Sequence, residues 1–215
     1  SHYDEKLQES GHSIKFAISR GPLNIASFLM GSTEFLLAIA MEPDRIHKLL
    51  SVISEFIIDW LSYQKRMFPS IEGIFMLDDI VGFLGDEDNR TFVVPYLKSI
   101  YENFDVPIKF FHNDAEGKIC APYLSEIGVN LFNFSFNHSL VEMKELTKNR
   151  VTLLGNIPPR DVLALGSEEN IKNAVYSSLN GIIDNSRIIM SCGGGMAPDV
   201  STINLKAFIS AVNAI

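Results

Sequence analysis

Three residue types that bind transition metals occur close to predicted strand ends in this chain. His112 and Asp114 lie two residues apart, and Cys192 follows a later strand. Imidazole, carboxylate and thiolate together suit Zn²⁺, and three protein ligands leave a fourth position open for a substrate. The alternative interpretation is a loop in which the histidine and the aspartate only form a hydrogen bond, and their spacing does not separate the two.

Two adjacent acidic residues, Asp78 and Asp79, also follow a predicted strand. Burial and mutual repulsion raise the pKa of one carboxylate in such a pair, which suits a general base or a group that holds a substrate. Helix capping or an ordinary loop position explains the pair equally well. A run of glycines that begins at Gly193 precedes the last predicted helix. Its free N–H groups suit an anion, although a tight turn needs the same residues.

Two further residues with reactive side chains are expected to lie outside the site. Cys120 lies at the start of a predicted helix, where we expect a buried thiol. His138 lies in a predicted loop, and we expect it on the surface. Two cysteines in a chain of this size do not make a disulfide framework, which favours a reducing, cytoplasmic compartment.

A repeated strand and helix pattern positions these candidates. Runs rich in Ile, Val, Leu and Phe, each followed by polar residues and then by helical periodicity, predict strands that alternate with helices. Parallel neighbours need crossover connections, so the pattern predicts an α/β fold with its functional rim at the carboxyl ends of the strands. The predicted strands cover residues 14–19, 71–77, 108–111, 129–134, 151–154 and 187–191, and the predicted helices cover residues 43–67, 91–104, 121–127, 140–148, 168–183 and 202–212.

Length and composition limit the fold and the partners. A closed (β/α)₈ barrel typically has about 250 residues and eight strands, whereas this chain has 215 residues. The predicted units therefore form an open sheet or the C-terminal part of a barrel, and we expect residues 1–215 to be one domain. A net charge of −8 argues against nucleic acid and anionic membranes as partners. No apolar run reaches the roughly 18 to 20 residues of a membrane span.

Several short segments, taken together, resemble the uroporphyrinogen decarboxylase superfamily, which includes the zinc-dependent methylcobamide:coenzyme M methyltransferases. Each segment alone is a weak signal, but they run in the family's order and spacing over almost the whole chain. The resemblance implies a (β/α)₈ TIM barrel that lacks its first two βα units here. The matching segments are residues 21–31, Asp78-Asp79 with Gly82, Pro95-Tyr96, Phe111-His112, 128–130, 155–159 and 191–198 with Asn204.

Departures within these segments favour the methyltransferase branch. Where the decarboxylases are expected to have a Tyr in the first segment and a His in the glycine turn, this chain has Phe28 and Gly194. The methyltransferases are expected to have His-x-Cys after one strand and a Cys before the glycine turn. His112 and Cys192 match that pattern, and Asp114 stands in place of the first Cys. A carboxylate is still a competent zinc ligand.

The resemblance thus implies a corrinoid-dependent methyltransferase. A zinc ion held by His112, Asp114 and Cys192 would assist methyl transfer between a corrinoid on a partner protein and a thiol, or from a small O-methyl or N-methyl donor. Asp78 or Asp79 would orient the acceptor or take up its proton. The residues expected to contact substrate or cofactor are Phe28, Asn156 and Gly193.

Two other interpretations remain open. One is metal-free decarboxylation of a tetrapyrrole, for which the resemblance implies basic residues in an N-terminal segment that this sequence does not contain. The other is a truncated barrel without catalytic activity. Two missing units would leave strand edges unpaired, so we also predict a homodimer across that gap.

Overall fold

Six parallel strands form one sheet in the computed structural model, which describes residues 2–215 and the side chains from Glu5 onward. The strands lie in chain order, and each pairs in parallel with its neighbours. All the predicted strands are confirmed, with ends that shift by up to three residues. They are β1 (Phe16–Arg20), β2 (Gly73–Leu77), β3 (Ile108–Asn113), β4 (Leu131–Phe134), β5 (Thr152–Ile157) and β6 (Ile188–Cys192).

Helices occupy the connections between the strands, as the pattern predicts. The pattern does not predict the helices Pro22–Met30 and Ser32–Met41, and the helix predicted for residues 168–183 ends at Ser178. Short 3₁₀ or π turns cover Ile80–Phe83, Asn89–Val93, Ala121–Tyr123 and Pro159–Ala164. The helices are α1 (His2–Glu9), α2 (Pro22–Met30), α3 (Ser32–Met41), α4 (Pro43–Met67), α5 (Asp86–Asp88), α6 (Val94–Glu102), α7 (Leu124–Ile127), α8 (Leu140–Leu146), α9 (Glu168–Ser178) and α10 (Thr202–Asn213).

The best predicted helix is α4, because its sequence carries both a start signal and a clear period. Pro43 occupies the first turn, where its missing N–H needs no partner. The buried residues recur three or four positions apart, and they pack into the main hydrophobic core. These residues are Ile46, Leu50, Ile53, Ile57 and Leu61.

The two faces of the sheet differ in what covers them. Ala17 and Ser19 of β1 are buried on the face that the helices cover, while Ile18 and Arg20 are exposed on the opposite face. We call that opposite face the inner face. The order of the strands and the helices outside them match six consecutive units of a (β/α)₈ barrel, which confirms the expected fold class. Within residues 2–215, β1 and β6 are the edges of the sheet.

Side chains of α4 close the free edge of β1. The side-chain amide of Gln64 accepts a hydrogen bond from the Ile18 N–H at 2.9 Å and donates one to the Ile18 carbonyl at 2.9 Å. The indole N–H of Trp60 donates to the same carbonyl at 3.1 Å. An amide that both accepts from and donates to one residue takes the place of a neighbouring strand at this point.

No single helix among residues 2–215 is long and apolar enough to cross a membrane. Helices α2 and α3 reach that length and apolarity only when they are counted together, and they meet at an angle of 107°.

Candidate functional site

A row of side chains crosses the inner face near the carboxyl ends of the strands. The register pairs Arg20 with Leu77, Leu77 with His112, and His112 with Asn133. Partners in neighbouring parallel strands point to the same side of a sheet, so all four side chains share the inner face. Arg20 and His112 are two strands apart, which is about 10 Å. Arg20 also borders a cavity of about 450 Å³ beside Trp60.

Asn133 fixes the orientation of the His112 imidazole. The Asn133 Nδ2 group donates to the carbonyls of Leu154 at 2.7 Å and Cys192 at 3.2 Å. Those carbonyls only accept, so Oδ1 of Asn133 must face His112, whose Nδ1 lies 2.7 Å away. Nδ1 is therefore the protonated nitrogen, and Nε2 is the one left for another partner. Metal-binding histidines are commonly held through their second nitrogen in this way.

Asp114 provides that partner. Its Oδ2 lies 3.3 Å from His112 Nε2, and its side chain is 45% exposed while that of His112 is 11% exposed. Burial alone lowers the pKa of His112, but the hydrogen bond and charge of Asp114, with the Asn133 bond, raise it by more, so the net pKa lies above its ordinary value. The structure thus places a carboxylate and an imidazole nitrogen together at the rim.

Cys192 reaches the same region from the end of β6. Its thiol donates to the Gly194 carbonyl at 3.2 Å. Burial raises the pKa of this thiol, and the charge of Asp114 adds to the rise. Among the described residues, no three or more His, Cys, Asp and Glu side chains converge as a ready metal site. The donor chemistry suits zinc, and His112 and Asp114 stand together, but Cys192 is turned to its own loop.

The two adjacent aspartates have separate roles. Asp78 has no exposed surface, and its carboxylate accepts the backbone N–H groups of Leu23 and Asn24 at 2.9 Å and 3.0 Å. Burial raises the pKa of Asp78 to about 8, although these bonds lower it. Asp78 therefore caps the start of α2, which is the alternative interpretation given for the aspartate pair. Because Asp78 is fully buried, a substrate cannot reach its carboxyl group. Asp79 accepts the backbone N–H of Asp114 at 2.8 Å.

Of the three residues expected to contact a substrate, Asn156 and Gly193 lie at the paired ends of β5 and β6, where the Gly193 N–H donates to the Ile157 carbonyl at 3.0 Å. Phe28 is 70% exposed near the end of α2, and it has no part in the hydrogen bonds around His112. Asn156, almost fully buried at the end of β5, donates to the His138 carbonyl. A Cβ atom on Gly193 would lie 2.6 Å from the Phe136 backbone nitrogen, so this glycine permits close loop packing.

Sequence reasoning placed three polar residues incompletely. Asn133 and Arg20 are polar residues at the ends of their strands, but the sequence does not reveal that they share a row with His112. The prediction for His138 is wrong, because it is 4% exposed and its Nε2 lies 3.0 Å from Glu116. The prediction for Cys120 is confirmed, because this thiol is buried and burial raises its pKa to about 12.

The sequence profile of the family described as uroporphyrinogen decarboxylase (URO-D) matches residues 8–215. The chain belongs to the uroporphyrinogen decarboxylase family. Uroporphyrinogen decarboxylase of Chloroherpeton thalassium is 28% identical over 78% of this chain and 48% of its own length. The same enzyme of Thermodesulfovibrio yellowstonii is 28% identical over 93% of this chain and 59% of its own length. The chain thus spans about half the length of these curated relatives.

The solved structure of a methyltransferase from Methanosarcina mazei has the same fold. It superposes with a TM-score of 0.77 over 93% of this chain and 58% of its own length, at 19% sequence identity. At 19% sequence identity, this similarity shows a shared fold and nothing more. The relatives of this chain are enzymes, and their names include both decarboxylase and methyltransferase.

Proposed function

We propose that this chain is the catalytic part of a corrinoid-dependent methyltransferase, and that its reaction takes place beside His112. The observation that carries the proposal is the fixed imidazole: Asn133 holds Nδ1 at 2.7 Å, and Nε2 meets Asp114 at 3.3 Å. A histidine held in this way offers one nitrogen in one direction, at the rim where barrel enzymes of this type react.

Zinc is the metal that this set of donors suits: His112 and Asp114 would hold it, and Cys192 would join them once its thiol turns away from the Gly194 carbonyl. When bound, zinc lowers the pKa of a thiol acceptor or polarises an ether or amine donor. Two side chains of this protein set the properties of the His112 imidazole. Asn133 keeps the imidazole in one tautomer, and Asp114 supplies a negative charge at the exposed end of the group.

Arg20 supports a substrate that carries an anionic group. It lies in the same row as His112, about 10 Å away across Leu77, and among the described residues its guanidinium forms no ion pair within 4.0 Å. A small thiol with a carboxylate or sulfonate would place its sulfur near His112 and its charge near Arg20.

The replacement of two expected decarboxylase residues also supports methyl transfer. Phe28 lacks the hydroxyl of the expected Tyr, and Gly194 lacks the imidazole of the expected His. The identity to uroporphyrinogen decarboxylases favours the second candidate function, which is metal-free tetrapyrrole decarboxylation.

Methyl transfer from methylcobalamin tests the proposal. Zinc-loaded protein is mixed with methylcobalamin and either 2-mercaptoethanol or 3-mercaptopropionate, and cobalt–carbon cleavage is followed by absorbance while the thioether is detected by mass spectrometry. We expect methyl transfer that favours the anionic thiol and is lost in His112→Ala. His12→Ala, which alters an exposed histidine of the same chain, is the matched control and keeps the activity.

Two results would overturn the proposal. Formation of coproporphyrinogen from uroporphyrinogen, without any methyl transfer, would identify a decarboxylase. Inactivity in both assays, with protein that is folded by circular dichroism, would identify a barrel fragment without catalytic activity.

A further inference from the structure

We propose that Asp79 and Gly194 are positioning residues that hold the Asp114 carboxylate against His112. The contacts that place this side chain stand by themselves. The inference rests on the proposed function only for what the placement is for, which is to hold a metal ligand. Asp114 belongs to the loop after β3, while Asp79 follows β2 and Gly194 follows β6. Elements from three parts of the chain therefore meet at this carboxylate.

Asp79 holds the backbone of Asp114. Its Oδ1 accepts the Asp114 N–H at 2.8 Å, which is a short bond to a charged acceptor and so among the stronger ones. The next two residues of the loop are held by close packing, because a Cβ atom on Gly82 would lie 2.5 Å from the Glu116 nitrogen and 2.7 Å from the Ala115 Cβ. The loop is thus fixed on its β2 side by one hydrogen bond and one close backbone contact.

Gly194 provides the space for the carboxylate. A Cβ atom on Gly194 would overlap with Oδ1 of Asp114 and would lie 2.6 Å from its Cγ. A Cβ atom on the neighbouring Gly195 would have no atom within 4 Å beyond those of its own residue and its chain neighbours. Any side chain at position 194 would therefore displace Asp114 from its place 3.3 Å from His112 Nε2.

These contacts couple positions 114 and 194. A carboxylate at position 114 and a side chain at position 194 compete for the same volume, so only one of them fits beside His112. The residues at positions 114 and 194 therefore determine whether a carboxylate oxygen is available as a second metal ligand next to the His112 imidazole.

Amide hydrogen exchange in the metal-free protein tests the role of Asp79. Exchange of the Asp114 amide should become about tenfold faster in Asp79→Ala, because a hydrogen bond of typical strength is lost. Asp79→Asn keeps an acceptor oxygen and should restore slow exchange. If the Asp114 amide exchanges at the parent rate in Asp79→Ala, or if it exchanges equally fast in both variants, the acceptor oxygen of Asp79 does not hold this loop and the positioning role is overturned.

A double-mutant cycle tests Gly194. Gly194 has a φ of +82°, so alanine is strained there in any background. The additional clash disappears in Asp114→Ala, and we expect Gly194→Ala to lower the folding equilibrium constant at least about twofold more in the parent than in that background. Gly195→Ala, the matched control, should show no such difference. Equal effects of Gly194→Ala in both backgrounds would refute the coupling.

Cobalt(II) titration of the same variants separates this inference from the proposed function. Weaker cobalt binding in Asp79→Ala, with the parent affinity in Asp79→Asn, supports both. If the parent binds no cobalt while the exchange and cycle results are as expected, the positioning role stands and the metal assignment falls.

Discussion

The buried carboxyl of Asp78 makes the stability of this protein depend on pH in an unusual direction. Burial raises the pKa of this group from 3.8 to about 8 in the folded protein. Folding therefore takes up a proton at any pH between these two values, because the unfolded chain has already released it. The stabilising contribution is complete below about pH 4 and is lost as pH rises through 8.

The size of the effect follows from the shift. Each pH unit within this window changes the free energy of unfolding by about 1.4 kcal/mol, so the change from pH 5 to pH 8 amounts to about 4 kcal/mol. Asp78→Asn removes the titrating group. It also gives up one acceptor for the α2 backbone, which adds a cost of about 1–3 kcal/mol that does not vary with pH.

Urea unfolding followed by circular dichroism measures the difference. We expect the parent protein to lose about 4 kcal/mol relative to Asp78→Asn between pH 5 and pH 8. Asp59→Asn, which removes an exposed carboxylate of α4, is the control: the difference in stability between the parent and this variant should not follow such a trend. A parent protein that gains stability over Asp78→Asn as pH rises would contradict the raised pKa, because the two backbone N–H bonds would then outweigh burial.

Three further predictions follow from single contacts. Asn133→Leu removes the acceptor for the Nδ1–H of His112 and should lower the pKa of His112 in the metal-free protein, as NMR titration would detect; an unchanged pKa would contradict the assigned bond. Leu50→Ala opens a cavity under α4, where Leu50 is fully buried, and should lower the free energy of unfolding in urea by about 2–5 kcal/mol. Gln64→Ala exposes the β1 edge at Ile18 and should increase self-association in light scattering, whereas a mass equal to that of the parent at all concentrations would show that this edge is protected by other means.

The sequence predicts the sheet well because local patterns determine it. Each strand is a short apolar run with polar residues at its carboxyl end, and the run that ends at His112 shows both features. The region of α2 and α3 has no such pattern: from Ile25 to Met30 it is apolar without a helical period. Its helices depend on contacts with distant parts of the chain, such as the Asp78 cap on the start of α2.

The site is only partly predictable from the sequence, because some of its contacts join distant parts of the chain. The types and spacing of His112 and Asp114 indicate that they act together, and the structure places them 3.3 Å apart. The amide of Asn133, 21 residues further along the chain, orients the imidazole through a contact that only the register of β3 and β4 creates. His138 likewise contacts a residue of a different loop, because its Nε2 lies 3.0 Å from the Glu116 carboxylate.

The zinc content of the purified protein decides whether His112, Asp114 and Cys192 form a metal centre. Protein purified without added metal is analysed for zinc per chain, together with His112→Ala and Cys192→Ala. We expect close to one equivalent in the parent and its loss in both variants, since each removes a proposed ligand. Zinc that is absent from the parent after exposure to one equivalent, or retained in both variants, would contradict the assignment of this group as the methyltransferase centre.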